Sequence, residues 1–177
     1  MRRKGPWLFL LLSGFAGAEE SSGDSAAALL EVPLETSRGA SAKLEHFAHR
    51  PLVVFYEDRG SSQENERLKE ALFALGQARG KLEAVAVVGV ANLAAWNWVP
   101  ARQFAQLGVA DAEKKAGVPV LIDWQGALTR APVQLSAHRS TVLIVHRGAV
   151  LFRQAGTLSP GDSERFFSVL SAVVDAP

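Results

Sequence analysis

The sequence predicts an α/β fold, a three-layer sandwich in which helices flank a central mixed sheet. Three observations predict it. Continuous apolar runs at 52–56, 83–90 and 118–124 are typical of strands that are covered on both faces. Segments with helical periodicity lie between these runs, and two short apolar runs within 141–152 indicate a C-terminal hairpin. With 177 residues, of which 48% are hydrophobic, the chain can bury the core of one domain.

The first part of the sheet is predicted to be parallel. The run at 52–56 is the first strand, and the helix after it is marked by Leu68, Leu72 and Leu75 at i, i+4 and i+7. The second strand follows at 83–90. A strand, a helix and a strand in this order imply a right-handed crossover and parallel pairing.

A second helix is predicted over 100–116, with Phe104, Leu107 and Ala112 on its inner face. Proline suits the first turn of a helix, and the glycine that follows suits its end. The third strand, at 118–124, is again expected to be parallel because a crossover helix precedes it.

The C-terminal part is predicted to be an antiparallel hairpin followed by a helix. The strands at 141–145 and 150–152 are separated by a turn in which Gly148 supplies a positive φ angle. The last helix is expected to run to about residue 174. Ser159 is placed to cap this helix, and Pro160 fits its first position.

The N-terminus has the pattern of a signal peptide at 1–18. A basic start at 1–4 precedes the apolar stretch 7–15 and the small residues 16–18. The apolar stretch falls short of the roughly 20 residues that span a bilayer, so no membrane span is predicted. The expected location is therefore periplasmic or secreted. Disulfides form in that compartment, but this chain contains no cysteine.

Residues 19–43 are rich in Glu, Ser, Gly and Ala and are predicted to form a flexible N-terminal lead before the domain at 44–177. Three of the 19 basic residues lie in the signal peptide, which leaves 16 against 18 acidic residues and a charge of about −2. Such a balance, without a basic cluster, gives no support to nucleic-acid binding.

The element order resembles the thioredoxin-like fold of redoxins, with an inserted helix region between the second and third strands. The segment 140–148 is similar to the redoxin segment in which a cis-proline and a Ser/Thr lead into a strand and a hairpin. Arg139 stands at the proline position, and His146 stands where Asp is usual. The whole of 44–174 more narrowly resembles the YtfJ-type group of small secreted thioredoxin-fold proteins. That likeness depends on the hairpin and on three segments: SSQENERLKEAL, GVPVLIDWQGAL and GTLSPGDSERFFSVL.

The resemblance implies that the turn after the first strand replaces a redox Cys-x-x-Cys motif. This turn consists of Gly60, Ser61, Ser62 and Gln63, with Gly60 and Gln63 at the two cysteine positions. None of these side chains forms a thiolate, a mixed disulfide or a sulfenic acid, so thiol-based redox chemistry is excluded. The turn is expected to be structural, with one of its serines capping the next helix.

An acidic cluster of Glu57, Asp58 and Glu64 lies at the carboxyl edge of the first strand, where open α/β sheets bind ligands. They fit either a cation or acid–base site, or a solvated helix start. Arg59 and Arg67 are near enough in sequence to neutralise them, which favours the second interpretation.

Three tryptophans are predicted near the same edge. Trp96 and Trp98 fit a surface that stacks on a sugar, a peptide or a protein partner. They also fit simple packing over the edge of the sheet. Trp124 follows a buried strand and is expected in the core or as a lid over this edge.

The sequence contains no motif that is typical of a metal site or of a hydrolase. The pair His46 and His49 lacks the further ligands that a zinc site needs, and His138 and His146 are too far apart along an extended segment to bind one ion. A G-x-S-x-G elbow and a Gly-rich phosphate loop are both absent. No catalytic residue, metal or cofactor is therefore predicted.

The sequence thus favours a secreted, cysteine-free thioredoxin-like protein that acts as a binding or accessory module, with a protein or peptide partner in the periplasm. The expected contact surface is formed by residues 57–63, 96–98 and 137–141, which the fold would bring together at one end of the sheet. The candidate partner-binding residues are Glu57, Asp58, Trp96, Trp98 and Trp124. The alternative is a redoxin relative that retains enzymatic activity through a non-thiol group or a bound cofactor. A purely structural protein is the third interpretation.

Overall fold

The computed structural model describes residues 20–79 and 82–175. The helices of this part are α1 (Glu20–Glu31), α2 (Glu66–Arg79), α3 (Ala101–Ala116) and α4 (Pro160–Val174). The strands are β1 (Leu34–Thr36), β2 (Ser41–Ala42), β3 (Leu52–Glu57), β4 (Ala86–Asn92), β5 (Val120–Asp123), β6 (Thr141–His146) and β7 (Ala149–Ala155).

The strands form one sheet in the order β2-β1-β5-β4-β3-β6-β7, which confirms the predicted α/β fold. β3, β4 and β5 are parallel neighbours, as the crossover helices require. β6 is antiparallel to β3 and forms the C-terminal hairpin with β7. The parallel first part and the antiparallel end of the sheet were both predicted.

The segment 19–43 differs from the predicted flexible lead. It contains α1 and the two strands β1 and β2, and β1 extends the sheet by pairing with β5. Leu29 and Leu34 are buried in a cluster with Leu44, so this segment covers one face of the sheet. The predicted signal peptide, residues 1–18, lies outside the described residues.

Each face of β3 contributes to a different core. Val54 and Tyr56 pack toward α1, and Val53 and Phe55 pack toward α2 and α4. All these side chains are buried, which explains the continuous apolar run of this strand.

α3 turns a different face to the sheet from the one predicted. Phe104 and Leu107 are 71% and 69% exposed, whereas Ala101 and Val109 are buried. Val109 packs with Ile122 of β5. Small side chains let the helix approach the sheet, so the bulky residues at the other positions project outward.

The C-terminal turns follow the predicted chemistry. Gly148 has a φ of 75° at the tip of the hairpin, beside Arg147 with a φ of 50°. The hydroxyl of Ser159 accepts a hydrogen bond of 3.1 Å from the backbone N–H of Asp162, which caps α4. Across the described residues, every helix is too short or too polar to cross a membrane.

Candidate functional site

Three segments meet at the carboxyl end of β3, and together they define the β3 edge: residues 57–63, 96–98 and 137–141. The Arg59 guanidinium lies 5.7 Å from the centre of the Trp96 ring. Asp58 Oδ2 lies 3.5 Å from His138 Nδ1. The fold therefore brings together the segments that the sequence singled out.

The turn in the redox position is closed by reciprocal hydrogen bonds. Ser61 donates from its hydroxyl (2.7 Å) and from its backbone N–H (2.8 Å) to Asp58 Oδ1. The Asp58 N–H donates to the Ser61 hydroxyl at 3.0 Å. A serine of this turn was predicted to cap the next helix. α2 begins only at Glu66, so Ser61 closes the turn instead of capping the helix. Gly60 and Gln63 at the two cysteine positions are exposed.

The electrostatics of Asp58 follow from this turn. Burial by itself would raise the pKa of the carboxyl group. The hydrogen bonds from Ser61 and the neighbouring His138 outweigh burial and lower the pKa of Asp58 below its usual value. Asp58 therefore stays ionised and holds the turn.

Glu57 is the most enclosed carboxylate of the β3 edge, with a side chain that is 13% exposed. It accepts hydrogen bonds from Lys69 Nζ (2.9 Å) and from the Ser140 hydroxyl (2.8 Å). Burial raises the pKa of Glu57, and this effect exceeds the opposing effects of Lys69 and Ser140. Its ionisation therefore depends on its surroundings more than that of a surface carboxylate does.

Asn65 is the centre of the network and was not predicted as a functional residue. Its amide nitrogen donates to the Ser140 hydroxyl (2.9 Å) and to the carbonyl of Gly156 (3.0 Å), and its amide oxygen accepts from the N–H of Leu158 (3.0 Å). The side chain is buried. It fixes the residue preceding α2 to the start of β6 and to the segment between β7 and α4.

Arg139, at the position that resembles the cis-proline, makes an ion pair. Its Nε donates to Glu64 Oε1 at 2.8 Å, and the Ser140 N–H donates to Glu64 Oε2 at 3.0 Å. Cis peptide bonds precede Pro100 and Pro132 in the described part of the chain, and the bond before Arg139 is trans. The Arg139 guanidinium lies against Gly156, where a Cβ atom would collide with it.

The three tryptophans have different roles. Trp98 is 59% exposed and Trp96 is 36% exposed, so both are accessible to a partner. Trp124 is buried, and Arg102 lies 4.5 Å above its ring. Trp124 is therefore a core residue, which corrects its assignment to a partner-binding surface.

A second buried polar cluster lies where β5 ends. Asp123 accepts hydrogen bonds from the Tyr56 hydroxyl (3.2 Å) and from the N–H groups of Gln125 (3.2 Å), Ala127 (2.8 Å) and Leu128 (3.0 Å). Burial, together with the nearby Asp123 carboxylate, raises the pKa of Tyr56. This cluster fixes the turn after β5 and is structural.

In residues 20–79 and 82–175, no three His, Asp or Glu side chains are grouped closely enough to hold a metal ion. The β3 edge instead has exposed aromatic and cationic side chains, and a network of hydrogen bonds lies beneath them.

Comparison with solved structures identifies the fold. Peroxiredoxin Q of Xanthomonas campestris is 18% identical with a TM-score of 0.56, and the match covers 84% of this chain and 96% of that one. An uncharacterised thioredoxin-like protein of Porphyromonas gingivalis is 19% identical with a TM-score of 0.58, over 85% and 95% of the two chains. A putative thiol:disulfide interchange protein DsbE of Chlorobium tepidum is 19% identical with a TM-score of 0.54, over 81% and 92%.

The chain therefore has a thioredoxin-like fold similar to that of redoxins, and it lacks the cysteines of redoxin chemistry. No family model matches the sequence. No curated protein matches it either. The resemblance to the YtfJ-type group stays a prediction.

The ionisation of Glu57 gives a testable pH dependence. Because the folded state raises its pKa above the ordinary 4.5, the folded protein binds this proton more tightly than the unfolded chain does. Ionisation of Glu57 is thus expected to lower stability as pH rises through the interval above 4.5. Glu57→Gln should become more stable relative to wild type as pH rises above about 4.5.

Urea unfolding of both proteins at several pH values measures this difference, with Glu70→Gln on the exposed face of α2 as the control. A difference that moves in the opposite direction would show that the Lys69 ion pair outweighs burial. A difference that Glu70→Gln reproduces would show that the effect is not specific to Glu57.

Proposed function

We propose that this protein is a periplasmic or secreted binding module that contacts a protein or peptide partner through the β3 edge and performs no thiol–disulfide exchange. One observation carries the proposal. At the redox position of this fold, the chain has a serine turn locked onto Asp58, and no cysteine is present anywhere in the 177 residues. Thiol chemistry needs a thiolate, whereas binding needs only a shaped surface.

The composition of the β3 edge supports binding. Trp98 is 59% exposed as a whole residue. The side chains of His138 and Arg139 are 90% and 58% exposed. Trp and Arg are enriched among the residues that dominate binding energy. Because Asn65 and Asp58 hold the supporting segments in place, a partner would lose little affinity to ordering them.

The proposed location depends on the N-terminal sequence. The basic start, the short apolar stretch and the small residues up to Ala18 have the order of a cleaved signal peptide. A periplasmic partner follows from that order.

The experiment is crosslinking with a photoreactive residue in place of Trp98, followed by mass spectrometry of proteins captured from a periplasmic extract. We expect one dominant partner, and Trp96→Ala and Arg139→Ala should each reduce its capture about tenfold or more, as substitutions in a binding hot spot do. The matched control places the photoreactive residue at Leu151 of β7, which is 39% exposed. Equal capture from both positions, or capture unaffected by either alanine, would contradict the proposal.

A second function is favoured by Glu57. This enclosed carboxyl group with a raised pKa resembles the acids and bases of catalytic sites, so a redoxin relative with a non-thiol group or a bound cofactor is the alternative. It predicts peroxide consumption or a bound chromophore or metal, with loss of the activity in Glu57→Gln. A purified protein that is colourless, metal-free and inert towards peroxides would rule it out.

A further inference from the structure

Within residues 20–79 and 82–175, no helix lies directly over one face of the middle strand of the sheet. In β4 the side chains of Ala86, Val88 and Val90 are buried on one side, while Val87 and Gly89 on the other side are only half-buried. α2 covers β3 and α3 covers β5, so the strand between them forms the floor of a groove. The groove has a volume of about 980 Å³, at the upper end of the range for small-molecule sites.

The floor and the α3 wall of the groove are apolar and small. Val87, Gly89 and Val120 form the floor, and Gly108 and Ala112 lie along α3. A Cβ atom on Gly108 would meet nothing within 4 Å, so the space beside it is open. Charged side chains, including Glu66, Glu70 and Lys115, line the groove from the helices.

The floor of the groove is long: from Val87 to Leu93 it covers six residue steps, or about 20 Å of strand.

The chemistry of the floor disfavours an extended peptide. The backbone groups of β4 are engaged in ladders with β3 and β5, and the side chains above them carry no donors or acceptors. A peptide would bury its own N–H and C=O groups against this floor without partners, and each such group costs roughly fivefold or more in affinity. An aliphatic chain has no such groups.

The carboxyl end of the groove provides a site for a charged head. Glu57 is engaged by Lys69, and Asp58 is engaged by Ser61. Arg59, which also lines the groove, forms no ion pair with a carboxylate of the described residues, and its guanidinium rests on the Trp96 ring. An anionic group at this end would complete a charge-assisted hydrogen bond with Arg59.

We propose that the groove binds a single-chain amphiphile whose aliphatic chain lies along β4 and whose carboxylate contacts Arg59. The inference does not depend on a protein partner at the β3 edge, although residues 57–59, 62, 63 and 96 of that edge also line the mouth of the groove. It adds a small-molecule ligand of the fatty-acid class to the proposed binding role.

The test is calorimetry of the purified protein with straight-chain carboxylates of eight, ten and twelve carbons below their micellar concentrations. We expect one molecule bound per chain, with an affinity that rises roughly two- to fourfold for each added methylene. Gly108→Phe fills the groove and should weaken binding of the twelve-carbon carboxylate at least tenfold. Ala112→Phe is a second groove-filling variant, and Ala110→Phe on an exposed position of α3 outside the groove is the matched control.

Arg59→Gln is expected to weaken binding of the carboxylate but not of the neutral twelve-carbon alcohol. Absence of saturable binding, or equal binding by folded Gly108→Phe and Ala110→Phe variants, would overturn the proposal. Tighter binding of dodecyltrimethylammonium than of dodecanoate would overturn the assignment of the head group. Because no cell extract is used, these outcomes are independent of the crosslinking experiment at Trp98.

Discussion

Replacing Asp123 by alanine is expected to lower the free energy of unfolding by about 3–5 kcal/mol. The carboxylate is 1% exposed and accepts four hydrogen bonds, three of them from backbone N–H groups in the turn after β5. The fourth comes from the buried hydroxyl of Tyr56. Alanine would leave these donors without their partner, and the N–H of Leu128 and the hydroxyl of Tyr56 are out of reach of water.

Urea unfolding of Asp123→Ala measures the loss, and two further variants identify its source. Tyr56→Phe removes one hydrogen bond and keeps the ring, so it should cost only about 1 kcal/mol. Asp111→Ala removes a carboxylate of α3 that is 60% exposed and should change stability by less than about 0.5 kcal/mol. If Asp123→Ala costs no more than Tyr56→Phe, the turn after β5 finds other partners and the cluster is not structural.

The strands of the central sheet could be predicted because their apolar runs are local signals. Burial on both faces makes the run at β3 continuous, and the helices between the strands fix their parallel order. Neither inference needs a tertiary contact. α1 has no such local signal, because its sequence, ESSGDSAAALLE, consists mostly of small and polar residues. α1 is stabilised by packing Ala26 and Leu29 onto a face of the sheet, and packing of this kind leaves little trace in local composition.

The error at α3 has a related cause. Periodicity identifies a helix, but the bulkiest side chains do not always mark its inner face. Phe104 and Leu107 are exposed, whereas the small Ala101 is buried. Gly108 of the same helix lines the groove and has open space beside it.

The location of the candidate site could be predicted from the sequence, but the hydrogen bonds within it could not. Glu57 and Asp58 follow a buried strand, and the carboxyl ends of parallel strands meet at one edge, so the edge itself could be predicted. Ser140 forms hydrogen bonds with both Glu57 and Asn65, and it lies 83 and 75 residues after them in the chain. Such pairs arise only when the sheet is assembled, and a single sequence contains no local signal for them.

Replacing Asn65 by alanine is expected to cost about 2–4 kcal/mol of unfolding free energy and to loosen the β3 edge. Its amide alone makes three hydrogen bonds, with the hydroxyl of Ser140, the carbonyl of Gly156 and the N–H of Leu158. Alanine removes all three bonds and leaves a small space in a buried location. Gln63→Ala, on an exposed side chain of the same turn, is the control and should be close to neutral.

Asn65→Asp separates the roles of the donors from that of the acceptor. An aspartate keeps an oxygen for Leu158 but loses both donors, and its negative charge would lie close to the carbonyl of Gly156 and to the Ser140–Glu57 pair. Its pKa in the folded state is expected to be raised, so stability should be higher near pH 4 and should fall as pH rises through that pKa. Unfolding measured across this range tests the sign. Equal stability of Asn65→Asp and wild type at neutral pH would mean that the two donated bonds contribute nothing, and the β3 edge would then have to be held by Glu64 and Arg139 instead.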